Sequence, residues 1–146
     1  MKGAGIYGRA FGGWLTALAL TPWLLFAADK ASSDFSGTWH WAKGKEELTL
    51  YLRQTDQKLS GWHAAIGQGG DKVDEVVKTD EQSITGEVAG NIAKATFRSG
   101  YPESKGGGKA ELTLQGNTIR WRVIESSGEH YLPQTAKLSR VVTKEK

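Results

Sequence analysis

Three histidines, His40, His63 and His130, are the side chains in this chain best suited to bind a metal or to move a proton. No two of them have the short spacing that would place a first pair of ligands together on one strand or helix. The alternation of the neighbouring residues predicts that His40 and His63 lie on the outer face of their strands. The sequence therefore predicts no metal site and no cofactor.

The serines and the paired acids do not form a catalytic pattern either. Ser60, Ser99 and Ser127 each precede a glycine, but none lies in the Gly-x-Ser-x-Gly elbow of a serine hydrolase. The acids of Glu46-Glu47 and Asp74-Glu75 are adjacent, so on a strand they point to opposite faces and are expected to be solvated. A glycosidase needs two carboxylates that face each other across its substrate. We therefore expect a protein that is not an enzyme.

Short strands are the elements that would position any site in this chain. From Gly37 onward, apolar and polar residues alternate with a period of two, and Gly, Asp, Asn and Ser separate the alternating runs. Gly90-Asn91 and Gly116-Asn117 have the composition of tight hairpin turns. The sequence predicts an all-β fold, a single antiparallel meander of about eight strands. We expect a closed or nearly closed small barrel, because closure leaves no free strand edge.

The same alternation predicts which side chains face the barrel interior. Most of them are large, which favours a packed core over a cavity, although an eight-stranded barrel can also hold one small ligand. The predicted inward set is Trp39, Trp41, Leu48, Leu50, Leu52, Trp62, Ile66, Val88, Phe97, Leu112, Leu114, Trp121, Val123 and Leu138.

Residues 1–28 have the composition of an export signal. Lys2 and Arg9 precede an uncharged apolar stretch, and small residues come before the first acid, Asp29. The apolar stretch is short for a membrane span, which needs about 20 residues. We predict cleavage near Ala28, with contact to a membrane only through an uncleaved leader. Residues 29–146 are then a single β-barrel domain with a short flexible C-terminal tail.

Charge and cysteine content indicate where the mature protein works and what it does not bind. Without Lys2 and Arg9, the basic residues fall from 19 to 17 against 16 acids, so the mature domain is close to neutral. A near-neutral domain has no general field that attracts phosphate, so we expect no nucleic-acid partner. An exported chain with no cysteine relies on packing rather than disulfides, as is common in the bacterial periplasm. The predicted location is periplasmic or secreted.

Gly37-x-Trp39 on the first strand and Arg140 near the end of the last strand resemble the pattern of the calycin group, which includes lipocalins and avidins. The resemblance implies that Trp39 packs at one barrel end beneath the basic side chain of Arg140. Leu48 to Leu52 and Ser60-Gly61-Trp62 are similar to the avidin run from the second to the third strand.

The resemblance does not extend to biotin binding. Avidins hold the ureido head of biotin with an Asn and a Ser in and after the first strand and a Tyr on the third strand. This chain has Trp41, a residue near Lys45, and Trp62 at the matching places. Bulky aromatic side chains would fill such a pocket.

Binding by loops or by an exposed sheet face is the function that the sequence favours. Arg120 and Arg122 lie on one strand face and Arg98 on another strand, while Tyr101 begins the longest glycine-rich loop. With Trp62, these are the candidate binding residues. The sequence favours an exported protein-binding module of the inhibitor or immunity type, whose partner is a periplasmic or secreted protein. The alternative is a carrier of a small apolar or aromatic ligand in the barrel interior.

Overall fold

The computed structural model describes residues 34–101, 103 and 105–144. All of them belong to the unit Ala31–Lys146. The predicted export signal lies outside the described residues, so cleavage near Ala28 stays a prediction. Among the residues described, the structure contains no helix with the length and hydrophobicity that a membrane crossing requires.

The described residues form nine strands and one turn of 3-10 helix at Gln68–Gly70. The strands are β1 (Gly37–Lys43), β2 (Glu46–Thr55), β3 (Lys58–Gly67), β4 (Lys72–Glu75), β5 (Ile84–Ala89), β6 (Ile92–Arg98), β7 (Gly107–Gln115), β8 (Thr118–Ser127) and β9 (Thr135–Arg140). Both predicted tight turns are present, between β5 and β6 and between β7 and β8.

Eight of these strands close into an antiparallel barrel. The order is β2-β1-β9-β8-β7-β6-β5-β3-β4, and an additional pairing of β2 with β3 closes the sheet. The first part of β3, Lys58 to Gly61, pairs with β5, and its last part, Ala64 to Gly67, pairs with the extra strand β4. The predicted fold class, an all-β meander closed into a small barrel, is confirmed.

The barrel interior is filled by side chains from every strand except β4. Trp39 and Trp121 are fully buried, and the Phe97 and Trp121 rings lie 5.5 Å apart. Trp41 and Val123 are partly buried and pack against this cluster. The inward set predicted from the alternation is therefore correct on seven strands and fails on β3.

The alternation selected the wrong face of β3. Trp62 and Ile66, predicted to face inward, are half-buried on the outer face, whereas His63, predicted to face outward, is 0% exposed. The inner face of β3 carries small or polar residues such as Gly61 and His63, so hydrophobicity alone favours the opposite face. Trp62 is sheltered instead by the segment that follows β4, where its Nε1 donates a hydrogen bond to the Asp80 carbonyl oxygen at 3.0 Å.

One end of the barrel, which we call the Trp39 end, is closed by an indole beneath a guanidinium. Trp39 Nε1 donates to the Phe35 carbonyl oxygen at 2.8 Å, and the Arg140 guanidinium carbon lies 4.1 Å from the Trp39 ring centroid. Arg140 Nη2 donates to the Asp34 carbonyl oxygen at 2.9 Å. Gly37 has φ +132°, and a Cβ there would lie 2.8 Å from Arg140 Nη1. Only glycine fits this position.

Candidate functional site

At the opposite end of the barrel, which we call the Asp74 end, a buried carboxylate joins four segments of the chain. Asp74 Oδ1 accepts hydrogen bonds from His63 Nε2 at 3.0 Å and from the Gly100 amide at 2.6 Å. Its Oδ2 accepts from Ser99 Oγ and from the Tyr131 amide, both at 2.9 Å. A carboxylate has about four acceptor positions, so this group is fully satisfied.

His63 extends this network to Ser83. An ionised carboxylate only accepts hydrogen bonds, so His63 Nε2 carries the proton that faces Asp74. In the neutral ring, Nδ1 is then the acceptor for the Ser83 hydroxyl, which lies 2.8 Å away. We call these hydrogen-bonded residues the Asp74 network; they are His63, Asp74, Ser83, Ser99, Gly100 and Tyr131.

The Asp74 network contains the side chains of a Ser-His-Asp triad, but it does not present a nucleophile. His63 and Asp74 are fully buried, and Ser83 is 3% exposed. A catalytic serine must contact its substrate. The Ser83 hydroxyl is buried and cannot do so. The geometry is that of a structural connection between segments.

The Asp74 carboxyl remains ionised although it is buried. Burial, the largest single effect, raises its pKa, but the hydrogen bonds from His63, Gly100 and Tyr131 together outweigh burial and lower the pKa of Asp74 to about 2. The prediction that the Asp74-Glu75 pair is solvated is therefore wrong for Asp74 and correct for the exposed Glu75.

Arg120 and Arg122, predicted to lie on one strand face, have different charged neighbours. Arg122 on β8 is bonded to Glu111 on β7, with Nη2 and Oε1 3.2 Å apart. Arg120 instead lies directly opposite Lys137 on β9, and both side chains are exposed. Within the described ranges, no carboxylate forms an ion pair with Arg120 or Lys137. Two cations thus face each other on the outer wall.

The other candidate binding residues lie elsewhere. Arg98 on β6 pairs with Gly107 on β7, which in turn pairs with Ser127 at the end of β8 that is remote from Arg120. Arg98 Nη2 also donates to the Glu81 carbonyl oxygen. Tyr101 contacts Tyr131, with ring centroids 5.4 Å apart. Trp62 lies on the outer face of β3, as described above. The five candidate residues therefore do not form one site.

Beside the Arg120 and Lys137 pair, β1 and β9 separate. They are paired only at Trp39 with Arg140 and at His40 with Ser139, although continuing the same register would place Ala42 opposite Lys137. We call the gap between residues 41–43 and residues 135–137 the seam. It contains a cleft of about 340 Å³, lined by Trp41, Lys43, Arg120, Thr135, Ala136 and Lys137.

Trp41 also lines a second cleft, of about 310 Å³, at the Asp74 end. The opposite wall of that cleft is the segment from His130 to Gln134, which includes Tyr131 and Leu132. Because Asp74 holds the Tyr131 amide, the Asp74 network positions this wall. A hydrogen bond from the Tyr131 hydroxyl to Glu129 raises the pKa of Tyr131 to about 12, so the hydroxyl stays protonated at neutral pH.

The three histidines occupy separate environments. His40 Nδ1 lies 3.0 Å from Thr49 Oγ1, His63 belongs to the Asp74 network, and the His130 ring meets the Phe97 ring edge-on at 5.2 Å. In the part of the chain that the structure describes, no three His, Cys, Asp or Glu side chains are grouped so that they could hold a metal ion.

A further cleft, of about 440 Å³, lies beside the hairpin of β5 and β6. Lys58 and Glu87 line it and form an ion pair with Nζ and Oε1 2.6 Å apart. Its lining thus contains an acid paired with a cation, together with Lys94, whereas the charged residues that line the seam are all cations.

Comparison with known proteins gives no relative for this chain: no family model, no curated protein and no solved structure matches it.

Proposed function

We propose that this protein is an exported, non-enzymatic binding module that captures a partner protein through the seam. The observation that carries the proposal is the facing pair of Arg120 and Lys137 beside the half-buried Trp41. Like charges directly opposite on neighbouring strands destabilise a sheet. An acidic group of a partner would remove this repulsion, because it would lie between the two cations.

Ion pairs elsewhere on the outer wall show the arrangement that an ordinary charged surface takes. These pairs are Lys58 with Glu87, Lys109 with Glu125, and Arg122 with Glu111. Each joins opposite charges on neighbouring strands. The Arg120 and Lys137 pair departs from this arrangement at a place where the wall also opens into a cleft lined by Trp41.

Trp41 supplies the apolar part of the proposed contact. Its side chain packs on the core with one part and lines the seam with another. Tryptophan and arginine are enriched among the residues that contribute most to protein interfaces, and they do so where neighbouring groups exclude water. The proposed partner surface therefore combines carboxylates with an apolar side chain.

Residues outside the seam support the remaining parts of the proposal. The composition of residues 1–28 supports export to the periplasm or the exterior, where an inhibitor or immunity protein would meet its target. The placement of Arg140 over Trp39, next to Gly37, supports a position among calycin-like barrels. No contact described above supports a particular reaction.

The alternative function, a carrier of a small ligand in the barrel interior, has weaker support. Trp39, Trp121 and Leu112 are 0% exposed and occupy that interior. The clefts that Trp41 lines lie at the wall and at the Asp74 end. A ligand there would be held by an open groove, which suits an extended partner better than a small molecule.

Site-specific crosslinking in the native host tests the proposed function. The full chain would carry a photo-reactive benzoylphenylalanine at Thr135, which lines the seam, or at Thr96, an exposed position on β6. We expect a discrete protein adduct from position 135 and none from position 96. The adduct should disappear when Arg120→Glu and Lys137→Glu are added, and it should persist with Arg122→Gln, because Arg122 is already paired with Glu111. Equal adducts from both positions, or an adduct that survives the charge reversal, would exclude the seam.

A further inference from the structure

The seam exposes backbone groups of β1 as well as side chains. The Thr38 carbonyl oxygen accepts a hydrogen bond from the Val141 amide at 2.8 Å, so Thr38 directs its backbone polar groups toward β9. In an antiparallel strand, the direction of these groups alternates from one residue to the next. Ala42 therefore also directs its N–H and C=O toward β9. The pairing of β1 with β9 has ended before Ala42, so both groups face the seam.

The facing edge of β9 is open in the same way. The Val123 amide donates to the Gln134 carbonyl oxygen and the Arg140 amide donates to the Asn117 carbonyl oxygen, so the even-numbered residues of β9 are bonded toward β8. Thr135 and Lys137 alternate with them and direct their backbone groups toward β1. The two edges of the seam thus present unused strand-pairing groups to each other.

The side chains around the seam also divide between two faces. Arg120 and Lys137 are exposed on the outer face of the wall. Trp41 and Ala136 belong to the inner face and are partly or fully buried. Successive side chains of an extended chain point to opposite faces. A strand lying in the seam would therefore meet Arg120 and Lys137 with every second side chain and the apolar Trp41 and Ala136 with the others, with the exposed Lys43 at the end of the seam.

We propose that the seam binds an extended acidic segment of the partner protein as an added strand. The backbone of this segment pairs with the open edges at Ala42 and Lys137. Its carboxylates face the Arg120 and Lys137 side chains, and the apolar residues between them contact Trp41. This inference rests on the proposed function and adds the form and the chemistry of what is bound.

A polypeptide fits these groups better than another polyanion. Strand addition uses main-chain hydrogen bonds for affinity and alternate side chains for specificity. A nucleic acid could satisfy the charges of Arg120 and Lys137, but it has no backbone amides in strand geometry for Ala42. The mature domain is also close to neutral in charge, which gives a polyphosphate little long-range attraction.

Three capped synthetic peptides added to the full chain test strand addition. The first alternates Glu with Val, the second has the same sequence with N-methylated backbone amides, and the third alternates Lys with Val. We expect the Glu-Val peptide to bind and the Lys-Val peptide not to bind. N-methylation should weaken binding about tenfold or more, because it removes the amide donors that pair with the open edges.

Amide hydrogen exchange on the same samples locates the contact. With the Glu-Val peptide, exchange at Ala42 and Lys137 should slow about tenfold or more, while exchange at Thr96 stays unchanged. A slowing of tenfold corresponds to a local stabilisation of about 1.4 kcal/mol. Lys137→Glu should remove the effect, and the matched variant Arg122→Gln should retain it.

The results also separate this inference from the proposed function. If the N-methylated peptide binds as tightly as its parent, strand addition is wrong, even if charge reversal still abolishes the crosslink from position 135. The same holds if the Glu-Val peptide does not bind while that crosslink forms, or if a DNA duplex binds at least as tightly as the peptide. Absence of both the crosslink and peptide binding overturns the proposed function and this inference together.

Discussion

At the Trp39 end of the barrel, a buried indole lies beneath the Arg140 guanidinium, whereas at the Asp74 end a buried carboxylate accepts four hydrogen bonds. Arg140 directs its charge toward backbone carbonyl oxygens of residues just before β1. Asp74 directs its charge toward donors from distant parts of the chain. The first arrangement fastens the segment that precedes β1 to the barrel, and the second connects loops to one another.

The difference bears on where the proposed contact with a partner protein lies. Residues 34–36 lie over the Trp39 end and are held there by Arg140 and by Gln54 of β2, whose side chain accepts from the Phe35 amide and whose backbone amide donates to Ser36 Oγ. At the Asp74 end, β1 and β9 separate. The segment His130 to Gln134, which contains Tyr131, lies across a cleft from Trp41. The Asp74 network fixes the Tyr131 backbone and so positions one wall of the cleft at that end, which shares Trp41 with the seam.

Asp74→Ala should produce the largest change in stability. It leaves His63, Ser99 and two backbone amides buried without their acceptor, and the loss of one partner from a buried charged network costs about 3–5 kcal/mol. The free energy of unfolding, measured by urea denaturation, should fall by that amount. Asp71→Ala, an exposed neighbour, serves as the control and should stay within about 0.5 kcal/mol of the wild type.

A loss below about 1 kcal/mol for Asp74→Ala would mean that water replaces the carboxylate easily. The Asp74 end would then be accessible to solvent, and the contrast with the Trp39 end would no longer hold.

Acid should weaken the Asp74 end selectively. The pKa of Asp74 is lowered from 3.8 to about 2 by folding, so the folded state favours the ionised form. The resulting stabilisation is fully present above pH 4 and is lost as the pH falls through 2. Its size is roughly 2 kcal/mol, from about 1.4 kcal/mol for each pH unit of difference. The urea midpoint of the wild type should fall across this range more steeply than that of Asp74→Asn, which cannot titrate. Parallel profiles would show that folding leaves the pKa of Asp74 unchanged.

The strands of the barrel could be predicted from the sequence because their alternation is local, and the Trp39 end could be predicted because Gly37, Trp39 and Arg140 resemble the calycin pattern. Gly37 and Trp39 are two positions apart, and the alternation around Leu48 and Leu50 identifies the inner face of β2 correctly. On β3, the inner face carries His63 among small residues, so the alternation of hydrophobicity indicated the wrong side.

The Asp74 network could not be predicted because its members are far apart in sequence. The hydrogen-bonded residues of this network that are farthest apart in sequence are Asp74 and Tyr131, which are separated by 57 residues. Two of its donors are backbone amides, at Gly100 and Tyr131, and such donors leave no trace in residue type. The seam escaped prediction for a similar reason. Strand pairing ends there between residues near opposite ends of the domain, which periodicity within either strand does not reveal.

Arg140→Ala gives a smaller effect than Asp74→Ala and tests the comparison from the other side. It removes the cation over Trp39 and two hydrogen bonds to carbonyl oxygens, but the side chain is only half-buried and water can reach the freed carbonyls. We expect a loss of about 1–2 kcal/mol in the free energy of unfolding, against no more than about 0.5 kcal/mol for the exposed Arg53→Ala.

The pH profile of Arg140→Ala decides whether the two ends act independently. Asp74 lies at the other end of the barrel, and effects at distant sites that share no partners usually add. The variant should therefore lose the same increment of stability between pH 4 and pH 2 as the wild type, with its whole profile displaced downward. Its amide exchange at Tyr131 should also stay slow. If instead Arg140→Ala flattened the acid profile or exposed the Tyr131 amide, the two ends would be coupled through the barrel. The Asp74 network could then no longer be treated as a separate support for the Tyr131 segment.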